Sequence, residues 1–431
     1  MEIPRNRYLD KLVRRKHNGL VKIVTGIRRC GKSYLLNTLF HRHLLDSGVD
    51  EKHVVRFAFD SAPDLMLIGE DLAELQRRRR KVDPAKFVSF VQSRIADGDM
   101  HYLLLDEVQM LDSFESVLNG CLRMENVDVY VTGSNAKFLS RDIVTEFAGR
   151  GDEIRMRPLS FAEYMEAFGG DRYEGLTRYM LYGGIPMVAL LEDDADKAAM
   201  LDRLFDEIYL RDMEQRHRLR DTAEMDELLD MLASSIGSPT NPEKLRRTFH
   251  SARKSNISGE TVKKYLDLLE DSFLVESARR YDIKGKAYVA SPRKYYFADL
   301  GLRNARLNFR QFEENHCMEN VVYNELKARG MNVDVGSIDV LERNSAGKVV
   351  RKRLEVDFVC NQGTKRIYVQ SAFSMPDAAK AEQETRPFRR IGDSFRKIVV
   401  THDAVPPHYD DDGMLTVNIY DFLLDESILA N

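Results

Sequence analysis

Gly26-Ile27-Arg28-Arg29-Cys30-Gly31-Lys32-Ser33 is the stretch on which the reading of this chain turns. It has the form G-x-x-x-x-G-K-S, and its flanks suit a phosphate-binding loop. Residues 21–25 (VKIVT) read as a short buried strand. Residues 33–43 (SYLLNTLFHRH) read as a helix with Leu35, Leu36, Leu39 and Phe40 on one face. A strand that stops at Gly26 and a helix that starts near Lys32 aim successive backbone N–H groups at one point. Those donors, the positive helix end and the Lys32 ammonium together suit a polyphosphate. The two glycines keep side chains out of a tight turn that a ligand must approach closely. The binding candidates are therefore Gly26, Ile27, Arg28, Arg29, Cys30, Gly31, Lys32, Ser33 and the following Tyr34.

A second element matches the first. Residues 102–107 (YLLLDE) form an apolar strand ending in two acids. Asp106 is expected to hold Mg²⁺ through water together with the Ser33 hydroxyl, and Glu107 to orient and deprotonate an attacking water. The two motifs fit neighbouring strand ends of one parallel sheet. Residues 127–132 (VDVYVT) make another buried strand, which runs into Gly133-Ser134-Asn135. Asn135, or failing that Ser134, could sense the γ-phosphate or the lytic water; an ordinary Gly-Ser-Asn turn would explain the same residues. Arg150 and Arg141 follow this strand, where either could reach a neighbouring subunit's phosphate or simply form a surface ion pair. Upstream, residues 4–16 read as an amphipathic helix and residues 53–59 as a strand ending at Asp60. The run Arg77-Arg78-Arg79-Arg80-Lys81 lies beside Glu70, Asp71 and Glu74 and carries no interleaved aromatics. It reads as a solvated helix face rather than a nucleic-acid contact. Ser160-Phe161-Ala162-Glu163 is a capping box opening the next helix.

At 431 residues the chain exceeds one core, and two to four domains are expected. The net charge of −4 leaves nucleic-acid binding to local patches. Cys30, Cys121, Cys317 and Cys360 form no C-x-x-C, which argues against a zinc ribbon or a disulfide framework and suits a reducing compartment. The charged N-terminus is no signal peptide, and no apolar run approaches the ~20 residues of a membrane span, so a cytoplasmic location is expected.

Taken together, GIRRCGKS, LLLDEVQ, VTGSNAKFLSRD, AGRG, RPLSFAEY and the later YGGIP give a chain that resembles the prokaryotic AAA-type ATPases carrying a C-terminal domain of unknown function related to restriction endonucleases. The resemblance covers nearly the whole chain. It implies a five-stranded α/β core, ATP rather than GTP as nucleotide, and Arg150 in the Gly149-Arg150 pair as a plausible trans-acting arginine.

Beyond the core, Tyr182-Gly183-Gly184-Ile185-Pro186 reads as a turn explained by its glycines and proline. Residues 195–235 read as charged helices with Leu201, Leu204, Phe205 and Ile208 on one face. They suit a lid over the nucleotide, as the resemblance implies. Residues 241–249 and 258–270 form two helices, followed by strand-like pieces and a basic turn, Ile283-Lys284-Gly285-Lys286. The pattern reads as a winged helix. Lys263 and Lys264 would lie on its reading helix, and Lys284, Lys286, Arg293 and Lys294 would meet phosphates from the wing. Asp267, Glu270 and Asp271 weaken the DNA reading, and a protein-packing module has the same pattern.

The last part, residues 306–431, resembles the restriction-endonuclease fold. Asp357 matches the strand aspartate of that fold, Gln370 stands where it has Glu or Gln, and Glu319 or Glu325 could supply a helix acid. The lysine position is Ala372, so the module reads as degenerate unless a lysine elsewhere, such as Lys365, takes its place; nuclease activity is not expected.

The expected fold is thus α/β: a parallel-sheet AAA-type core (residues 1–170), a helical lid (171–235), a winged helix (236–305) and a small restriction-endonuclease-like domain (306–431). The expected activity is Mg²⁺-dependent ATP hydrolysis coupled to binding or remodelling of DNA, with homo-oligomers joined through a trans arginine. The competing expectation is a nucleotide-dependent switch that docks protein partners without DNA.

Overall fold

The computed structural model describes residues 2–133, 149–206, 222–253, 257–343 and 348–430. Two compact units emerge, Glu2–Pro158 with Asp271–Phe273, and Leu159–Glu270 with Leu274–Asn431.

The first unit is built on β1 (Val21–Thr25), β2 (Val54–Ala58), β3 (His101–Asp106), β4 (Val127–Thr132) and β5 (Gly151–Arg155) in the order β2-β3-β4-β1-β5. Every pairing is parallel. The three inner strands are buried at every position, which their near-continuous apolar runs require. Val55, Phe57, Leu103, Leu105, Val129 and Val131 pack with Phe87, Phe114 and Leu118 in one core. The opposite face of the sheet carries a buried ion pair. Lys22 on β1 is fully buried, pairs with Asp128 on β4, and lies 4.8 Å from the Tyr130 ring centroid. Tyr130 and the His17 backbone N–H also donate to Asp128, at 2.7 and 3.0 Å. The five-stranded parallel sheet is the one the resemblance implies, but β4 stands between β1 and β3, so the two nucleotide motifs end next-but-one strands rather than neighbouring ones.

From the loop after β1 a helix runs through Lys32–Tyr34, a π-helical stretch Leu35–Phe40, and His41–Asp46. Leu35, Leu36, Leu39 and Phe40 are its buried face, as their spacing predicts.

In the second unit, helices Phe161–Phe168, Arg172–Tyr182, Asp194–Arg203 and Thr222–Ser234 come first. The capping box at Ser160 and Glu163 forms as expected. Helices Pro242–Arg253 and Gly259–Asp271 then lead into β6 (Val275–Asp282) and β7 (Ala287–Phe297), an antiparallel pair. Helix Glu314–Ala328 precedes β8 (Asn332–Arg343), β9 (Val349–Gln362) and β10 (Lys365–Ala372). Helix Ala378–Arg389, β11 (Arg396–Thr401), β12 (His408–Tyr409) and β13 (Leu415–Asn418) complete the unit with helix Ile419–Leu424. All eight strands form one sheet, β12-β13-β11-β10-β9-β8-β6-β7. The junction is a parallel pairing of β6 with β8, Arg280 facing Val335. Strands from both sides of the division drawn at residues 305 and 306 therefore share one hydrogen-bonded ladder.

The YGGIP turn has a partner that is distant in sequence. Asp299 is buried and accepts the Gly184 backbone N–H at 2.7 Å and that of Leu302 at 3.1 Å. Gly183 takes φ +74°, and a Cβ there would lie 2.1 Å from the Asp299 carboxylate, so only glycine fits. The turn is a cradle of backbone donors around a carboxylate, beyond the punctuation that sequence alone assigns to it.

Candidate functional site

At the carboxyl end of the parallel strands, β1 delivers the loop and β3 delivers the acids. Gly26 has φ +142°, and a Cβ on it would sit 2.0 Å from the Met156 carbonyl oxygen, so the loop cannot close over any larger residue. Arg5, only 2 % exposed, donates to the Cys30 carbonyl at 3.0 Å and to the Arg157 carbonyl at 2.6 Å. Cys30 is buried and its thiol lies 3.8 Å from the Met156 carbonyl oxygen. The loop is thus held in shape by groups that sequence reasoning had passed over, Arg5 and the backbone after β5.

Lys32 is buried, and its ammonium donates to the carbonyls of Gly26 at 2.9 Å and Ile27 at 3.0 Å. These neutral acceptors are weaker partners for an ammonium than phosphate oxygens. Arg28 is half-buried, Arg29 is exposed with φ +65°, and Tyr34 lies in the first helical turn. Gly31, at φ +99°, is the helix N-cap.

The Ser33 side chain is among the groups that favour the charged form of the Asp106 carboxylate. Asp106 is 7 % exposed, and Asn37 Nδ2 lies 3.4 Å from it. Burial pushes its carboxyl above the ordinary range, against the Thr132 and Ser33 side chains, which favour the charged form. A buried carboxylate beside a serine hydroxyl and a lysine is a donor set that fits Mg²⁺ and a polyphosphate. The Thr132 hydroxyl, at the end of β4, donates to Asp106 and accepts the Glu107 backbone N–H at 3.2 Å. Glu107 stands at φ +53° and accepts from the Gln109 side chain. Asp60, just beyond β2, adds a third acid: burial, then Glu107 and Asp106, raise its carboxyl, while Arg28 lowers it. Thr132 and Asp60 were each visible in sequence as the polar residue closing an apolar strand.

Asn135, Ser134 and Arg141 lie outside the described residues. Arg150 is exposed, and its carbonyl accepts the Val21 N–H at 2.9 Å.

Of the candidate phosphate contacts in the second unit, Lys263, Lys264, Lys284 and Lys286 are exposed. Asp282 Oδ1 accepts the backbone N–H groups of Lys284 and Gly285, tightening the turn between β6 and β7. Arg293 is half-buried and its guanidinium donates to Ser277 Oγ at 3.3 Å. Lys294 requires a correction. It is 4 % exposed, and its ammonium lies 2.9 Å from Glu319, 2.8 Å from Glu355 and 3.5 Å from Asp357. A cation so enclosed and so paired cannot serve as a wing contact to phosphate.

The same observation revises the endonuclease-like centre. Glu319, Asp357 and Gln370 do converge: Asp357 accepts the Ser371 N–H at 2.9 Å, and Gln370 Oε1 accepts the Asp357 N–H at 3.3 Å. Tyr296 donates to Glu319 at 2.7 Å. Glu325 is elsewhere, paired with Arg329 at 2.6 Å, and Lys365 donates to the Leu429 carbonyl. Lys294 of β7 brings an ammonium to these acids, and Glu355, on the same face of β9 as Asp357, was the acid that sequence reading missed. Burial and Glu319 push Asp357 up, with Lys294 opposing them.

With this geometry in place, comparison with known proteins gives the class. Residues 18–165 match the family model described as AAA domain, and residues 173–313 match one described as Domain of unknown function (DUF8612). The first unit is an AAA-type P-loop ATPase domain. The chain is 32% identical over 431 residues to an uncharacterized protein of Haemophilus influenzae, covering 98% of each, and it belongs to that protein's family. It is also 23% identical to the uncharacterized protein MJ1544 of Methanocaldococcus jannaschii, covering 93% of this chain and 85% of that one. Among solved structures, the Aeropyrum pernix ORC1 protein in complex with DNA aligns at 13% identity and a TM-score of 0.31, covering 72% of this chain and 93% of that chain. Cdc6p from Pyrobaculum aerophilum aligns at 14% and 0.30, covering 72% and 97%. Scores this low leave function to the chain's own residues. Among the described residues no helix is long and apolar enough to cross a membrane.

Proposed function

We propose that the protein binds ATP with Mg²⁺ at the loop Gly26–Ser33 and hydrolyses it. The observation that carries the reading is a buried Lys32 ammonium, seated on the Gly26 and Ile27 carbonyls, whose charge acts on the buried Asp106 carboxylate. Lys32 would exchange its two carbonyl partners for phosphate oxygens, a charge-assisted and stronger pairing. Ser33 and Asp106 would hold the metal, which supplies charge neutralisation at the phosphates. Glu107, its backbone fixed by Thr132, would orient the attacking water. Arg150 of a neighbouring subunit would meet the phosphoryl charge. Glu107→Gln is expected to keep nucleotide binding and slow turnover by ~100-fold or more. Lys32→Ala is expected to lose nucleotide affinity. Phosphate release and fluorescent-nucleotide titration read the two; wild-type turnover in Glu107→Gln removes that residue from its role.

Coupling to DNA is the reading supported by the four exposed lysines, Lys263, Lys264, Lys284 and Lys286, around a helix–helix–hairpin element. ATPase assays with and without duplex and single-stranded DNA test it. One observation favours the competing reading, a switch that docks protein partners: β6 is tied to β8, so the hairpin belongs to the body of a large sheet rather than standing free as a wing. Tight ADP retention with indifference to DNA would select it. The last part of the chain is read as an endonuclease-like module without cutting activity, and robust Mg²⁺-dependent DNA cleavage abolished by Asp357→Ala would overturn that.

A further inference from the structure

At the opposite ends of β2 and β3 from the nucleotide loop, two buried histidines face each other. The strand register pairs Val54 with Tyr102, so His53 and His101 stand side by side one step before it. They are 7 % and 1 % exposed, and their ring centroids are 4.7 Å apart at 71°. Both Nε2 atoms address one carboxylate: Asp97 Oδ2 lies 3.0 Å from His53 Nε2, and Asp97 Oδ1 lies 3.9 Å from His101 Nε2. Asp99 Oδ2 is 3.9 Å from His53 Nε2. One ligand atom from each of His53, Asp97 and His101 lies within 4.8 Å of the others.

The surroundings hold these groups in place. His101 Nδ1 lies 2.8 Å from the Asp99 carbonyl, which turns its Nε2 toward Asp97, and a metal would replace the proton by which His53 Nε2 meets Asp97. The Asn126 amide donates to the carbonyls of Asp97 at 3.0 Å and Asp99 at 3.2 Å, pinning the segment that presents both acids. Among the described residues the cation at hand is Lys52, 62 % exposed with its ammonium 3.5 Å from Asp97, and an ion could displace it at little cost.

We infer that His53, His101 and Asp97, with Asp99 or water completing the shell, form a site for a borderline divalent transition metal of the Zn²⁺ or Ni²⁺ type. Two imidazoles with one or two carboxylates suit such ions, whereas Mg²⁺ and Ca²⁺ prefer oxygen throughout. The ion would tie the edge strand β2 to β3. Five residues of extended strand, about 17 Å, separate His101 from Asp106, so this site is independent of the nucleotide site.

The test uses untagged full-length protein stripped with chelator and titrated with Zn²⁺ by calorimetry, with Co²⁺ added in parallel as a spectroscopic probe of coordination. The expected result is about one ion per chain, with an imidazole-bound Co²⁺ spectrum that Zn²⁺ abolishes. Asp97→Asn, a change at a surface carboxylate, should weaken uptake at least ~10-fold, and His53→Gln should do the same. Glu166→Gln, at an exposed carboxylate of the second unit, should leave uptake unchanged. The inference is overturned if no ion is taken up at micromolar concentration, if Asp97→Asn and His53→Gln bind as the wild type does, or if Glu166→Gln weakens uptake as much as Asp97→Asn does.

Discussion

Replacing Lys294 with methionine is the sharpest probe of the second unit, because it keeps the side chain's length and removes only its charge. Three carboxylates, Glu319, Glu355 and Asp357, approach the ammonium at 2.9, 2.8 and 3.5 Å. Opposite unit charges about 4 Å apart attract by about 4 kcal/mol at an effective dielectric constant near 20. Much of that gain is cancelled by the cost of taking four ions out of water, so the wild-type cluster as a whole need not be stabilising. Deleting the cation is another matter. It leaves negative charges buried against one another, a change that costs about 3–5 kcal/mol in comparable pairs. The sign of the pH dependence follows. With the lysine present, burial and Glu319 already raise Asp357 to about 7. The folded state therefore binds a proton there that the unfolded chain releases from about pH 4, and this group's contribution to stability falls as pH rises through that window. Without Lys294 more carboxyls join that behaviour. Lys294→Met should thus be most destabilised near pH 8 and recover toward pH 5. Guanidinium titrations of variant and wild type, followed by circular dichroism at both pH values, read the difference. A loss below about 1 kcal/mol at pH 8, or the same loss at both values, refutes the account of a charge-balanced cluster.

The buried pair in the first unit should show the mirror image. Asp128→Ala strands the Lys22 ammonium, costing about 3–5 kcal/mol. Burial already lowers the Lys22 pKa even with Asp128 present, so the folded chain gives up that proton more readily than the unfolded one. Stability should rise with pH in alkaline thermal melts, where a flat profile would contradict the assignment. Thr132→Val removes the hydroxyl bridging Asp106 and Glu107 while keeping the strand's shape. Turnover should fall with nucleotide affinity little changed, a split that steady-state kinetics resolves, and a loss confined to affinity would place Thr132 in binding instead. Asp299, raised to about 6 mainly by burial, accepts backbone donors around Gly184. Asp299→Asn turns one acceptor into a donor facing donors and should cost about 1–3 kcal/mol. It should also remove the decline in stability that the wild-type carboxyl causes between about pH 4 and 6, measurable as a flattened melting profile across that range.

The nucleotide loop and its sheet were legible because their signals are local. Residues 21–25, 102–107 and 127–132 carry apolar residues enough for one strand each, and a strand buried on both faces needs little else. Ser33 and Asp106 could be proposed as partners from sequence because each sits at a fixed offset from such a run. What escaped notice depends on partners far along the chain. Lys294 looks like a surface cation in KYYF, and only the fold brings Glu319 and Glu355 around it. Glu355 alternates with Asp357 along β9 and could have been read as sharing its face. The role of Gly183 and Gly184 is set by Asp299, for which no spacing rule exists. β12, β13 and helix Ile419–Leu424 went unread because short terminal elements carry too few residues to show a period.

The parallel pairing of β6 with β8 has a bearing on how such chains can be taken apart. The stretch that matches a recognised sequence family ends at residue 313, after β7 and before β8. A recombination joint there would sever a ladder mid-sheet, baring unpaired backbone on β6 in one fragment and on β8 in the other, each a template for self-association. Heritable exchange of the C-terminal segment would therefore succeed as one block from β6 to β13, or not at all.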